Sequence, residues 1–218
     1  MSNFILKIIA CLTMLIDHAA VVFQANISTD AYWVMRGVGR LAFIIFCFFI
    51  VEGFIRTQSR GAYALRLGLF ALLSEIPFDW MVYGRAMELS SQNVYLTLLL
   101  GLLGLWGFDR LKGSGLRMLV PIMAAVAAEL LGADYGAGGV MLIFVMYVLR
   151  EHKLWQGVAV LAVLVYMSGN SAWIEMLAFG GWLLCLAYNG RRGPRMKYIF
   201  YSFYPLHMLV LCLIRDML

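Results

Sequence analysis

FILKIIACLTMLIDHAAVVF, residues 4–23, is a run of twenty residues in which only Lys7, Thr13, Asp17 and His18 are polar. As a helix it is about 30 Å long, the depth of a bilayer's hydrocarbon core. A plain anchor of that length carries no lysine, aspartate or histidine. Ten residues separate Lys7 from His18, and eleven steps of about 100° bring a helix back to within roughly 20° of its start, so the two basic residues share a face. Cys11 and Met14 complete that stripe. Asp17 stands about 80° round the helix, within reach of a neighbouring helix or of solvent. An ionisable group near the bilayer centre costs at least about 2.5 kcal/mol, so such residues face protein or a water-lined cavity and mark a functional site by default.

The rest of the chain has the same character. Of its 218 residues 63% are hydrophobic and 13% charged, with the apolar residues in blocks rather than on faces. A soluble domain is more evenly mixed. Blocks at 4–23, 38–55, 62–83, 94–108, 116–131, 138–149, 154–167, 172–188 and 198–214 predict an all-α, polytopic transmembrane helical bundle. About nine helices are expected, with eight to ten as the range, because the blocks near 94–108, 138–149 and 154–167 are short for a full crossing. One integral-membrane domain over residues 1–218 accounts for them all. The first block lacks a small-residue cleavage site followed by a polar segment, so it is expected to stay. Cys11, Cys47, Cys185 and Cys212 fall inside apolar blocks without metal-ligand or disulfide-framework spacing and read as small buried hydrophobes.

Cations set the expected orientation. The loops after blocks two, four, six and eight hold Arg56 and Arg60; Arg110, Lys112 and Arg117; Arg150 and Lys153; and Arg191, Arg192, Arg195 and Lys197. The opposite loops hold only Arg36, Arg85 and, at a helix start, Arg40. By the positive-inside rule the N-terminus is expected to be cytoplasmic, in a protein that crosses its membrane several times. The formal charge of +5 is then mostly topology, and a nucleic-acid partner gets little support.

That orientation gathers polar groups at one outer level: Asp17 and His18, Arg36 and Arg40, Glu75 and Asp79, Asn93 and Tyr95, and Asp134 with Tyr135. Lys7, Glu52, Arg56, Arg60, Tyr63 and Arg66 lie toward the inner side, and His207 falls midway through the last block. Each has a plainer reading. Arg36 and Arg40, four apart on one face, serve equally as headgroup anchors or as structural partners of Asp17 or Asp79. Glu52 fits as the i, i+4 partner of Arg56. Glu75, two residues before Pro77, fits as a partner for backbone groups that the proline frees. Glu129, Glu175 and Asp216, near span ends, read as solvated. His207 follows Pro205, and a structural histidine bonded to a freed carbonyl stands beside a reactive one as its reading. His18 is the strongest candidate for chemistry, because it has a carboxylate neighbour and a depth at which titration near neutral pH is tunable.

Six stretches carry a resemblance: LKIIACLTMLIDH (6–18), RGVGRLAFIIFCFFIVEGFIRT (36–57), YALRLGLFALLSEIPFDW (63–80), NVYLTLLLG (93–101), DYGAGGV (134–140) and YIFYSFYPLHMLVL (198–211). In their order and spacing the chain resembles the TraX family, typified by the F-pilin acetylase of conjugative plasmids. That family in turn looks like a compact relative of the membrane acyltransferases called acyltransferase family 3, whose first helix has a basic residue, ten intervening residues and a histidine, matched here by Lys7 and His18. FCFFIVEGF followed by Arg56, Arg60 and Arg66 is similar to that group's second helix. One departure is the lack of a fused soluble domain that selects an acceptor.

The resemblance implies an acetyl-CoA-dependent transmembrane O- or N-acetyltransferase that uses acetyl-CoA from the cytoplasmic side, with His18 as catalytic base. Asp17 or a carboxylate on another helix would stabilise the imidazolium. Arg40 or Asn93 would donate toward the oxyanion, and Tyr95 would orient the acceptor. The polyanionic donor needs inner-face cations; Lys7, Arg56, Arg60, Tyr63 and Arg66 form the candidate cofactor-binding set, with Arg191 and Arg192 as helpers. Arg36, Glu52, Glu75, Asp79, Asp134, Tyr135 and His207 are possible additional site residues. The acceptor is expected at the membrane, as a peptide (a pilin N-terminus, by the resemblance), a glycan, or a small amine or alcohol. No metal is expected, because His18, His152 and His207 fall in separate blocks without paired spacing. Two rival classes remain, a proton-coupled transporter or lipid-binding protein that uses the same titratable groups, and a purely structural role. Inverted repeats would favour the transporter, and two matching halves are not evident in the sequence.

Overall fold

The computed structural model describes residues 1–169, 172–191, 193–194 and 196–218. Arg192 and Arg195, counted above among the inner-face cations, lie outside them. The described residues are helical with no strand, as expected. The α-helices are α1 (Asn3–Val22), α2 (Thr29–Arg56), α3 (Arg60–Tyr83), α4 (Val94–Arg110), α5 (Leu119–Leu130), α6 (Gly136–Val148), α7 (Lys153–Ser168), α8 (Ala172–Met176), α9 (Phe179–Leu186) and α10 (Lys197–Met217). Only Leu177 and Ala178 interrupt α8 and α9, so the pair corresponds to one expected span and the total among the described residues to nine.

Among the described residues four helices, α1, α2, α3 and α10, are long and apolar enough to cross a membrane. On α1 the outward residues are Ile5, Ile8, Leu12 and Ile16, spaced three and four apart, while Leu6, Ala10, Cys11, Met14 and Asp17 face inward. An apolar stripe turned outward and a carboxylate turned inward is the pattern of a helix solvated by lipid. Ser2 caps α1, its hydroxyl accepting from the Ile5 N–H at 3.3 Å. α2, 28 residues, is about 42 Å long and exceeds a bilayer's core, so it tilts or extends into the headgroups. It begins nine residues before the apolar block at 38–55, where Asp30, Tyr32, Trp33 and Arg36 suit its first two turns to the membrane interface.

The chain divides into two compact units, each assembled from separated stretches. The first comprises residues 1–46, 73–88 and 168–218: α1, the first part of α2, the end of α3, and α8 to α10. Within it α1 and α10 pair with the same direction, Phe4 meeting Phe200 (ring centroids 6.0 Å apart) and His18 meeting His207. The N-terminal residues are clipped to the segment after α9: Asn3 N–H donates to the Arg191 carbonyl (2.9 Å), Asn189 N–H to the Met1 carbonyl (2.9 Å), and the terminal ammonium to Ala187. The broken helix α8–α9 lies on α2. A Cβ at Gly181 would fall 2.6 Å from the Leu41 carbonyl oxygen, so glycine permits that approach.

The second unit comprises residues 47–72 and 89–167. Its helices α4 to α7 are 12 to 17 residues long; α4, α6 and α7 are the thin helices that the short blocks implied, while the 116–131 block yields only the 12 residues of α5 because Gly115–Met118 forms a 3₁₀ turn. α4 turns glycines to its neighbours: Gly104 meets Pro121 and Ala124, Gly107 meets Val120 and Gly101 meets Ile143. Small residues at such positions let helix backbones approach where no hydrophobic force separates protein from lipid. All four cysteines are buried and unbridged.

Candidate functional site

α1 presents Lys7 and His18 to α10. The Lys7 ammonium lies over the Phe200 ring at 5.2 Å from its centroid. Further along, His18 Nδ1 stands 2.6 Å from His207 Nε2, with the two rings nearly parallel, 4.8 Å between centroids and 10° between planes. His207 Nδ1 lies 2.6 Å from the Phe203 carbonyl oxygen, one turn back on α10. Tyr204, buried, meets His18 edge-on at 5.9 Å, and Phe203 stacks on His207 at 4.8 Å. Pro205 lacks the N–H that a helix would direct at residue 201, four before it, and not at Phe203, so the Phe203 oxygen serves the imidazole on its own account.

Asp17 points away from this pair into a buried charge cluster. Its Oδ2 accepts from Arg36 at 2.6 Å and its Oδ1 from Arg40 at 3.3 Å. Arg40 also donates to Glu175 Oε1 at 3.1 Å. Two guanidinium groups and two carboxylates balance when all are ionised. That balance matters, since an uncompensated charge taken out of water costs several kcal/mol. Gly39 makes the cluster possible: a Cβ there would overlap the Asp17 side chain, which sits on α2 between the turns that carry Arg36 and Arg40. Glu175, read from the sequence as a solvated residue near a span end, is instead 19% exposed and part of this cluster.

Two more expected residues belong to the same unit. Asp79 is buried, and its Oδ2 accepts from the Glu88 N–H at 2.7 Å. Glu75 is half-buried one turn N-terminal to it, beside Pro77.

The remaining expected residues lie in the second unit. Asn93 caps α4: its Oδ1 accepts from the Tyr95 N–H at 3.0 Å, while its amide donates to the Ala71 carbonyl at 2.8 Å. Tyr95 is buried with its ring 6.0 Å from that of Phe70. Asp134 uses its backbone, donating to the Gln92 carbonyl at 2.8 Å and accepting from the Thr97 hydroxyl. Tyr135 precedes α6 in a left-handed conformation at φ 66°. Arg56 pairs with Glu52 at 2.8 Å, four residues back, as the spacing suggested, and Arg60 pairs with Asp109 at 2.7 Å. The Tyr63 hydroxyl donates to the Phe49 carbonyl at 3.4 Å, and its ring fills the space over Gly53. The Arg66 guanidinium stands 5.7 Å from the Tyr63 ring centroid. Among the described residues no three His, Cys, Asp or Glu side chains converge as a metal site.

Chemically, the first unit offers an imidazole pair with a backbone anchor beside a charge-neutral cluster, enclosed by aromatic rings. That arrangement holds one ring nitrogen in a defined protonation state and provides fixed positive groups nearby, which is what proton transfer at a reacting centre needs. Phe203 was invisible to sequence reasoning because its backbone acts, while Gly39, which with Gly37 suits close helix packing, gave no sign that Asp17 is the side chain it admits.

The sequence profile of the family described as "TraX protein" matches residues 2–215. The chain is 29% identical to a protein of Dichelobacter nodosus named "Probable fimbrial assembly protein FimC, serogroup H1", over 97% of this chain and 94% of that one. No solved structure matches it significantly.

Proposed function

The chain belongs to the TraX family, and from that premise we propose that it is a membrane acyltransferase that moves an acetyl group from acetyl-CoA to an amine or hydroxyl of an acceptor presented at the membrane, with His18 as general base. The observation that carries this reading is the direct contact of His18 with His207, two histidines from opposite ends of the chain joined in the protein interior at 2.6 Å. Headgroup anchoring and simple packing do not call for such a pair.

The acceptor's lone pair forms a bond to the thioester carbonyl carbon while its N–H or O–H proton passes to His18. The tetrahedral intermediate then loses its C–S bond, and the departing sulfur takes the electron pair and the proton back from His18. Arg36 and Arg40 would donate N–H groups toward the developing oxyanion, a directional role that their pairing with Asp17 and Glu175 holds in place. Asp17 holds those two guanidinium groups in place and so acts one step removed from the imidazole.

In the second unit, Arg56, Arg60 and Arg66 are the cations suited to the donor's phosphates. Arg56 pairs with Glu52 as Arg60 does with Asp109, but Arg56 is 49% exposed against 32% for Arg60, so Arg56, with Arg66, is the better probe. The relative's name places it in fimbrial assembly, which makes a fimbrial subunit the first acceptor to try. A cytoplasmic N-terminus is part of the same proposal, and it gives the donor access from the side where it is made.

The test uses inverted membrane vesicles, which hold the membrane's own acceptors, supplied with radiolabelled acetyl-CoA, beside calorimetric titration of acetyl-CoA into purified protein. Label that reaches an acceptor only when the protein is present supports the proposal. Absence of both protein-dependent labelling and acetyl-CoA binding contradicts it.

A further inference from the structure

The two imidazoles and one carbonyl form a directed chain. The Phe203 carbonyl oxygen only accepts, so His207 Nδ1, 2.6 Å from it, carries a hydrogen. A neutral imidazole has a single N–H, which leaves a lone pair on His207 Nε2. That lone pair faces His18 Nδ1 at 2.6 Å, a separation two lone pairs would not hold, so the hydrogen between them belongs to His18 Nδ1. His18 Nε2 is then the nitrogen that bears the lone pair. Among the described residues His18 makes its hydrogen bond through Nδ1, and Nε2 is left for a substrate.

We infer that His207 is a positioning residue that keeps the hydrogen on His18 Nδ1 and thereby makes His18 Nε2 the base that removes the acceptor's proton. The inference rests on the reading of His18 as general base. It assigns to His207 and the Phe203 carbonyl the orienting task that a carboxylate performs for histidine in hydrolytic triads. Asp17 is not available for that task, since Arg36 and Arg40 take both of its oxygens. In water, neutral histidine carries its hydrogen mainly on Nε2, the form in which the required base is a donor. Contact with His207 inverts that preference. When Nε2 gains the acceptor's proton, His18 becomes an imidazolium with Nδ1 still donating to His207, so the bond persists through the reaction and spreads the positive charge. The proton then leaves from Nε2 to the departing sulfur, and the pair returns to its starting state.

The test reads the hydrogens directly. Histidine with isotopically labelled ring nitrogens is incorporated into the full chain in lipid nanodiscs, and His18 and His207 are assigned by comparison with single substitutions. Nuclear magnetic resonance is expected to find His18 protonated at Nδ1 and bare at Nε2, with His207 likewise hydrogen-bearing at Nδ1. In His207→Leu the His18 hydrogen is expected to move to Nε2, and the rate of label transfer at saturating acetyl-CoA to fall by on the order of 10²- to 10⁴-fold, with the acetyl-CoA concentration for half-maximal rate unchanged. His207→Gln places a carbonyl acceptor where Nε2 stood and is expected to recover most of the rate, a rescue that packing alone would not produce. A wild-type His18 with its hydrogen on Nε2 overturns the inference, and that spectrum decides whether or not the leucine variant folds. If His18 shows the expected hydrogen but His18→Ala transfers acetyl at the wild-type rate, the general-base reading fails instead, and the role of His207 falls with it.

Discussion

Asp17 accepts a hydrogen bond from Arg36 at 2.6 Å, so the carboxylate immediately before the candidate base is bound to α2 and not to the base itself. With Arg40 on its other oxygen and Glu175 beyond, Asp17 is the centre of a buried four-charge cluster. The side chains of Asp17 and Arg40 are only 11% and 10% exposed, so their charges are compensated mainly by one another and by Glu175 and Arg36.

Removal of one charge from this cluster is therefore expected to cost far more than a surface ion pair. Asp17→Asn leaves two guanidinium groups with one carboxylate and should lower stability by about 3–5 kcal/mol, the range for a buried pair broken on one side. Arg36→Gln should cost less, because Arg36 is 23% exposed and Arg40 still meets Asp17. Thermal unfolding in detergent for the single variants and the double variant gives the coupling; additive losses would show that the two residues do not act as a unit.

Gly39→Ala and Gly68→Ala make an informative pair. Both sit in helices, where alanine is intrinsically favoured over glycine by about 1 kcal/mol. At Gly68 the nearest atom to a new Cβ is Leu99 Cδ2 at 3.7 Å, ordinary contact, so the substitution should stabilise. At Gly39 the new Cβ would overlap Asp17, and overpacking of about 1–3 kcal/mol should outweigh the helical gain. Opposite signs in unfolding temperature are the expected result; equal stabilisation would mean that α1 does not approach α2 as closely as described.

Asn93 has a structural task that can be measured apart from any chemistry. Asn93→Ala removes the cap of α4 and leaves the buried Ala71 carbonyl without its amide donor, and should lower stability by about 1–3 kcal/mol. If label transfer per folded molecule stays near wild type in that variant, the cap accounts for the residue. A large fall in that rate would return Asn93 to the oxyanion.

Arg56 and Arg66 serve as the test of donor recognition. The Arg56→Gln, Arg66→Gln double variant is expected to raise the acetyl-CoA concentration needed for half-maximal label transfer and to weaken calorimetric binding of acetyl-CoA, with little change in acceptor requirement. Unchanged acetyl-CoA dependence would move the phosphate site to other cations.

Much of the fold was legible in the sequence because its signal is one-dimensional. The first block, 4–23, became Asn3–Val22, and the short blocks became short helices, since uninterrupted apolarity and helix length are the same information. The block at 172–188 hid the break at Leu177 and Ala178, whose backbone turn leaves no mark in hydropathy. At the candidate site, the spacing of Lys7 and His18 put both on one face of α1, because an eleven-residue interval is a property of one helix; that this face meets α10 was not in the spacing. Arg36 and Arg40 as structural partners of Asp17 was among the plainer readings, and those ion pairs are present. Contacts between distant segments had no such signal. His207 is 189 residues from His18, and Glu175 is 135 from Arg40, so periodicity carried nothing about either pair.

The most direct test of the general-base account is His18→Ala, assayed for protein-dependent transfer of radiolabel from acetyl-CoA in inverted vesicles, with membrane insertion and unfolding temperature checked alongside. The account predicts an inserted, folded protein whose transfer rate falls by on the order of 10²- to 10⁴-fold. Transfer at near the wild-type rate by that variant would contradict it.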